Sequence, residues 1–284
     1  MTLLSYRPML LYALIFIALT LLTQIGGVIF ILAIFAGRWL VPQALQGWRR
    51  AALTTAIFVF LYQTLSATVA PTLAAVGGRV PLPCYAEAGR PFAAGSRLYC
   101  ILNRNYVDAR LVVLLTDLSR AIDQAYPGTI TLYLDGNFPF VDGFPLLPHL
   151  SHNDGRKLDL AYYYAGPDKT YLPGRMRSSI GYWAFEQPGA GDKPSCASRS
   201  LLSLRWDMGF LRPLHPDRPL EPQRTAAALR WLADEGQKFG IERIFIEPYL
   251  AQRLGVTSPV LGFQGCRAAR HDDHIHIQIK PSLE

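Results

Sequence analysis

The stretch His271–Ile279 reads HDDHIHIQI. Three of the chain's six histidines fall within it, and a polar/apolar alternation follows. Successive side chains of a β-strand point to opposite faces of the sheet. The alternation therefore predicts a strand over 274–280. Ile275, Ile277 and Ile279 turn toward a core, while His274 and His276 share the other face. Two imidazoles on one sheet face are a pattern suited to metal ligation. A second cluster, PHLSHNDGRKLDL (Pro148–Leu160), supplies His149, His152 and Asp159. Asp159 lies in an apolar run, KLDLAYYYA (Lys157–Ala165), read as a second strand. A lone carboxylate there is costly unless something positive pairs with it. Two imidazoles and a carboxylate with an open fourth position make a catalytic zinc site, which generates a nucleophile near neutral pH. The competing reading, histidines that are merely structural, fits a single His-x-His better than two clusters with an embedded Asp.

Outward from these strands the pattern is that of an α+β domain with a small, mostly antiparallel sheet and flanking helices. Helical spacing of apolar residues covers Tyr106–Tyr126. Thr129–Asp135 and Ile241–Pro248 alternate as strands. Pro222–Gly240 opens on Pro and closes on Gly, the asymmetry of a helix. Tyr249–Gly255 reads as a short helix. Between Gly166 and Pro219, repeated Pro and Gly predict a long loop region. The tyrosines of Tyr162–Tyr164 are expected to pack, and His215 to sit in an exposed loop.

The chain has 284 residues, and its apolar content is concentrated at the start. Residues 1–76 contain no Asp or Glu, and their only charges are Arg7, Arg38, Arg49 and Arg50. Two apolar runs, 9–36 and 51–76, each exceed the roughly 20 residues that a membrane-spanning helix requires. The first is too long for a cleavable signal core. The expectation is a two-helix membrane anchor over 1–76, a Gly/Pro/Ala-rich lead-in over 77–105 and a domain over 106–284. Three arginines in the short connecting loop place it in the cytoplasm. The two-pass reading then puts the N-terminus and the domain outside, on the periplasmic face of an inner (cytoplasmic) membrane. All four cysteines (Cys84, Cys100, Cys196, Cys266) lie in that outer part. An even number in an oxidising compartment points to disulfides, with three pairings open. The outer part carries 28 − 4 = 24 basic and 21 acidic residues, a net charge of +3. Without a clustered Lys/Arg tract, nucleic-acid binding is not indicated.

SHNDGRKLD (Ser151–Asp159) resembles the Ser-His-x-x-Gly-x-x-x-Asp signature of the LAS metallopeptidases, and HDDHIHIQI resembles their terminal His-x-His. The pattern is most similar to the penicillin-insensitive murein endopeptidases, with His149 and His152 before Asp159, then His271, His274 and His276. RIFIEPYLAQRLG (Arg243–Gly255) resembles the segment before the final motif. The similarity covers about residues 106–280 and not the membrane runs. It implies that His152, Asp159 and His276 bind one Zn²⁺. It also implies that His274 and His271 are the catalytic pair, and that His149 is an orienting neighbour or a plain loop residue. Gly155 would permit the turn that brings His152 and Asp159 together.

By this resemblance the chain hydrolyses peptide bonds in peptidoglycan cross-links. Its partners would be peptidoglycan peptides and the lipid bilayer; the sequence does not identify protein partners. Two alternatives stand beside that reading: a DD- or LD-carboxypeptidase of the same superfamily, and a zinc-containing scaffold without activity. Two features depart from the family pattern. No extra histidines for a second metal lie between His152 and His215. The family's substrate-polarising arginine has no matching context, leaving Arg156, Arg177 and Arg270 as substitutes.

Overall fold

The computed structural model describes residues 7–193, 195, 196, 205 and 209–282. Three helices open the chain: α1 (Arg7–Thr23), α2 (Gly26–Leu40) and α3 (Gly47–Val76). There follow β1 (Arg79–Pro81), β2 (Phe92–Ala94), α4 (Arg97–Ile101), β3 (Tyr106–Asp108), α5 (Ala109–Ala125), β4 (Thr131–Tyr133) and β5 (Lys157–Ala161). The rest comprises α6 (Pro222–Asp234), β6 (Ile241–Phe245), α7 (Pro248–Arg253), β7 (Leu261–Gly262) and β8 (His274–Ile279).

The first apolar run is not one helix. Gln24 adopts φ +66°, a left-handed conformation that ends α1. The Gly26 amide donates to Thr23 Oγ1 at 2.8 Å and α2 begins. The two helices then fold back on each other, with Tyr12 meeting Phe30 at a ring separation of 6.1 Å. Gly27 permits the close crossing, since an added Cβ there would lie 2.7 Å from the Phe16 carbonyl oxygen. Phe30 in turn packs on Phe58 of α3. At 1.5 Å per residue, α1 and α2 are only about 25 and 22 Å long. Among the described residues, α3 alone is long and apolar enough to cross a membrane. The expected pair of spanning helices is therefore replaced by a short helical hairpin beside one long helix. The hairpin tip faces the domain, where Ile25 packs with Ala70, Ala74, Tyr106 and Phe140. The start of α1 and the 41–46 loop lie at the opposite end. Arg7, where the described residues begin, thus lies at the end of the helical segment away from the domain.

The main sheet has the order β2-β4-β5-β8-β6-β7, and β1 pairs with β3 separately. It is mixed, with the antiparallel pairs in the majority. The β4–β5, β5–β8 and β8–β6 pairs are antiparallel, but both edges, β2–β4 and β6–β7, are parallel. The lead-in is thus structured: β2, within 77–105, is an edge strand of the domain's own sheet. α5 and α6 cover one face. Their Leu111, Leu115, Leu118, Leu229 and Leu232 pack with Leu158, Leu160, Ile275, Ile277 and Ile279 in one core. Each such side chain contributes roughly 1.5–3 kcal/mol on burial. Asp108 and Glu221 fix where the two helices start, their carboxylates accepting the Arg110 and Arg224 amides.

Tyr162, Tyr163 and Tyr164 are all buried, as expected. The described part of 166–219 is largely irregular, with a 3-10 turn at Gly209–Leu214. The four cysteines pair as Cys84–Cys100 and Cys196–Cys266. By loop-closure entropy these bridges contribute on the order of 3 and 4 kcal/mol.

Candidate metal centre

The β5–β8 register sets Asp159 opposite His276 and Ala161 opposite His274. With the leucines and isoleucines committed to the helix side, Asp159, His274 and His276 stand together on the other face. His152 arrives from the loop between β4 and β5. Asn137 pins that loop: its Oδ1 accepts the Asp154 and Gly155 amides, and its Nδ2 donates to the Lys157 carbonyl. Gly155 turns the chain with φ +77°, and a Cβ there would lie 2.9 Å from Arg79 Nε. This is the turn the sequence assigns to that glycine. Asp154 pairs with Arg156 and Lys157 and is half-buried beside it. His152 Nδ1 donates to the Gly136 carbonyl at 2.8 Å, which leaves Nε2 to face the site.

Three donor atoms meet there. His152 Nε2 lies 3.1 Å from His276 Nδ1. Asp159 Oδ1 lies 2.8 Å from His276 Nδ1 and 3.3 Å from His152 Nε2. A tetrahedral ion with bonds of 2.0–2.1 Å separates its ligands by about 3.3 Å. The triangle is close to that size, so the chemistry and spacing of the donors fit a zinc-sized ion. A second trio overlaps it: ligand atoms of His149, His152 and Asp159 all lie within 4.8 Å of one another and can hold a metal ion. His152 and Asp159 belong to both.

The other carboxylate oxygen has its own surroundings. Asp159 Oδ2 accepts from the Tyr182 hydroxyl at 2.6 Å. His149 Nδ1 lies 3.4 Å from it and His274 Nε2 3.6 Å. His149 also bonds Asp135 Oδ2 at 3.0 Å, and Arg104 grips Asp135 with two N–H groups at 2.6 and 2.7 Å. His149 Nδ1 thus lies between two carboxylates. His274 Nδ1 pairs with Asp273 Oδ1 at 2.5 Å. His271 completes the cluster, its ring 4.9 Å from His274 and 5.5 Å from His276. The sequence-derived residues His149, His152, Asp159, His271, His274 and His276 are all brought together.

Asp159 is 0% exposed. Burial pushes its pKa up, but His152 and His274 outweigh that and hold it well below the usual carboxylate range. Burial lowers the pKa of His276 to about 4, with Asp159 opposing. Burial also opposes the charged form of His274, yet Asp159 and Asp273 prevail and raise it to about 9. His271 is driven well below the ordinary histidine value by burial, and the neighbouring imidazoles add to the effect. A fully enclosed carboxylate is thus surrounded by imidazoles that compensate its burial.

Arg156, Arg177 and Arg270 are each held by a carboxylate of their own: Asp154, Glu186 and Asp272. The arginine that reaches the site's supports is Arg104, which had no motif to mark it. Asp135, Tyr182 and Asp273 were also missed. Asp273 alone carried a signal, as the acidic neighbour of a strand histidine in the quoted stretch. A pocket of about 50 Å³ opens onto the cluster, lined by His149, Tyr182, Trp183, Phe185, Arg270 and His274, among others. No protein-family model matches the chain, and no curated protein matches it.

Proposed function

We propose that the chain is a membrane-anchored zinc peptidase that cuts peptide cross-links of peptidoglycan outside the cytoplasm. The observation that carries this reading is the donor triangle of His152, Asp159 and His276 beside a pocket lined by further imidazoles. Zinc held there supplies Lewis acidity and a nucleophile near neutral pH. The chain's own groups then divide the remaining work. His274, braced by Asp273 and lining the pocket, donates a proton or hydrogen bond to the oxygen that gains charge. His271 stands beside His274 and His276 as the second member of the proposed catalytic pair. Tyr182 and Asp135 fix Asp159 and His149 in place.

Two observations support the location. α3 is long and apolar enough to cross a bilayer, and both disulfides lie beyond it. The end of the helical segment distal to the domain carries the start of α1, Arg38, Arg49 and Arg50. Positive residues remain in the cytoplasm, which puts the N-terminus inside and the domain outside.

The test is incubation of the purified full-length chain with muropeptide dimers, with and without a chelator. Conversion of dimers to monomers, lost on chelation and restored by Zn²⁺, is the expected result. Release of terminal D-alanine alone would make the enzyme a carboxypeptidase. No product from any muropeptide at full metal occupancy would sink the peptidase reading.

A further inference from the structure

A larger cavity of about 520 Å³ lies next to the metal pocket and shares Tyr182 and Trp183 with it. Because the Tyr182 hydroxyl bonds Asp159, the cavity wall is one side chain away from the metal donors. Two buried polar atoms there have no hydrogen-bond partner, Ser178 Oγ and His215 Nε2. Ser178 is only 6% exposed, and both residues line the cavity. Unpaired buried polar atoms are uncommon in native folds and call for a reason. Arg175 and Arg218 line the same cavity. Arg218 donates to the Met176 carbonyl, which uses one of its five N–H groups. Among the described residues, neither arginine is paired with a carboxylate. Trp183 and His215 also border a neighbouring cavity of about 360 Å³, so the two cavities adjoin.

Two unsatisfied polar atoms flanked by two guanidiniums without carboxylate partners among the described residues call for a polar ligand with negative charge. We infer that this cavity is a substrate subsite for a carboxylate-bearing peptide branch, a conclusion that rests on the peptidase reading. Ser178 Oγ donates to a carboxylate oxygen, His215 Nε2 faces the same space, and Arg175 and Arg218 supply the charge. The subsite would hold the acid while the neighbouring peptide bond lies at the metal pocket.

The experiment measures equilibrium binding of a muropeptide monomer to the full-length chain. The free acid is compared with the same compound after its carboxylates are amidated. Wild type should bind the free acid about tenfold more tightly, the scale of one charge-assisted contact. Exposed Arg175→Glu and the double variant Ser178→Ala/His215→Ala should each erase most of that difference. Arg175→Glu guards against a folding defect in the double variant. Equal binding of acid and amide by wild type would overturn the inference, as would variants that keep the full preference. Displacement by inorganic phosphate as effectively as by the free acid would overturn the carboxylate assignment. A His276→Ala chain that retains the preference supports the subsite even when it turns over nothing. The subsite and the peptidase reading can therefore fail separately.

Discussion

In the helical segment the threonines bond locally. Thr20, Thr23, Thr54, Thr68 and Thr72 each return a hydroxyl to a carbonyl three or four residues back. Around Asp159 the opposite holds. His152 meets His276 across 124 residues, Tyr182 meets Asp159 across 23, and Arg104 meets Asp135 across 31. These threonines complete their bonding one turn at a time. The candidate metal centre is complete only once β4, β5, β8 and the 137–156 loop are all in place. It should therefore respond to changes that the helical segment absorbs.

The two regions also touch. Gln24, at the hairpin tip, accepts the Phe140 amide at 2.8 Å, and Phe140 lies in the loop that delivers His152. Tyr62 and Ser66 of α3 accept from Asn103, the neighbour of Arg104. The support of the metal centre thus begins in the helical segment.

Substitutions test this contrast, beginning with the largest effect. His276→Ala should abolish metal binding and reduce muropeptide cleavage to background, since it removes one corner of the donor triangle; assay of metal content and product formation checks both. Arg104→Met leaves Asp135 buried without its guanidinium, and such a loss costs about 3–5 kcal/mol. Denaturant unfolding should show it, and a wild-type midpoint would mean that Asp135 is carried by His149 alone. Gln24→Ala should cost on the order of 1 kcal/mol, typical of one hydrogen bond. Its signature is faster hydrogen exchange at the Phe140 amide with membrane integration unchanged. Thr54→Val removes only a hydroxyl bonded within its own helix, and its effect should stay within about 0.5 kcal/mol. A larger loss would show that the helical segment is not locally satisfied.

Much of the site was legible because its signals are short-range. The alternation of His274 and His276 with Ile275 and Ile277 fixes which face each takes, and Asp159 stands out in an apolar strand. The register that puts Asp159 opposite His276 is a long-range fact, and no local pattern states it. Arg104, Asp135 and Tyr182 were invisible for the same reason, since their roles come from the partners that folding brings to them. The helical segment failed differently. Hydropathy averaged over 9–36 conceals a turn that depends on Gln24 taking a left-handed conformation and on glycines at 26 and 27. The parallel edge strands were missed because β2 sits in a stretch whose Gly and Pro content reads as a linker.

The central claim is that His152, Asp159 and His276 share one ion. The most direct measurement is zinc stoichiometry of the purified full-length chain, with X-ray absorption at the zinc edge. One zinc per chain, with imidazole nitrogens and a carboxylate oxygen at about 2.0–2.2 Å, is the predicted result, and it should be lost in Asp159→Ala. A chain that binds no metal, or a variant that keeps a full equivalent with an unchanged ligand shell, would contradict the account.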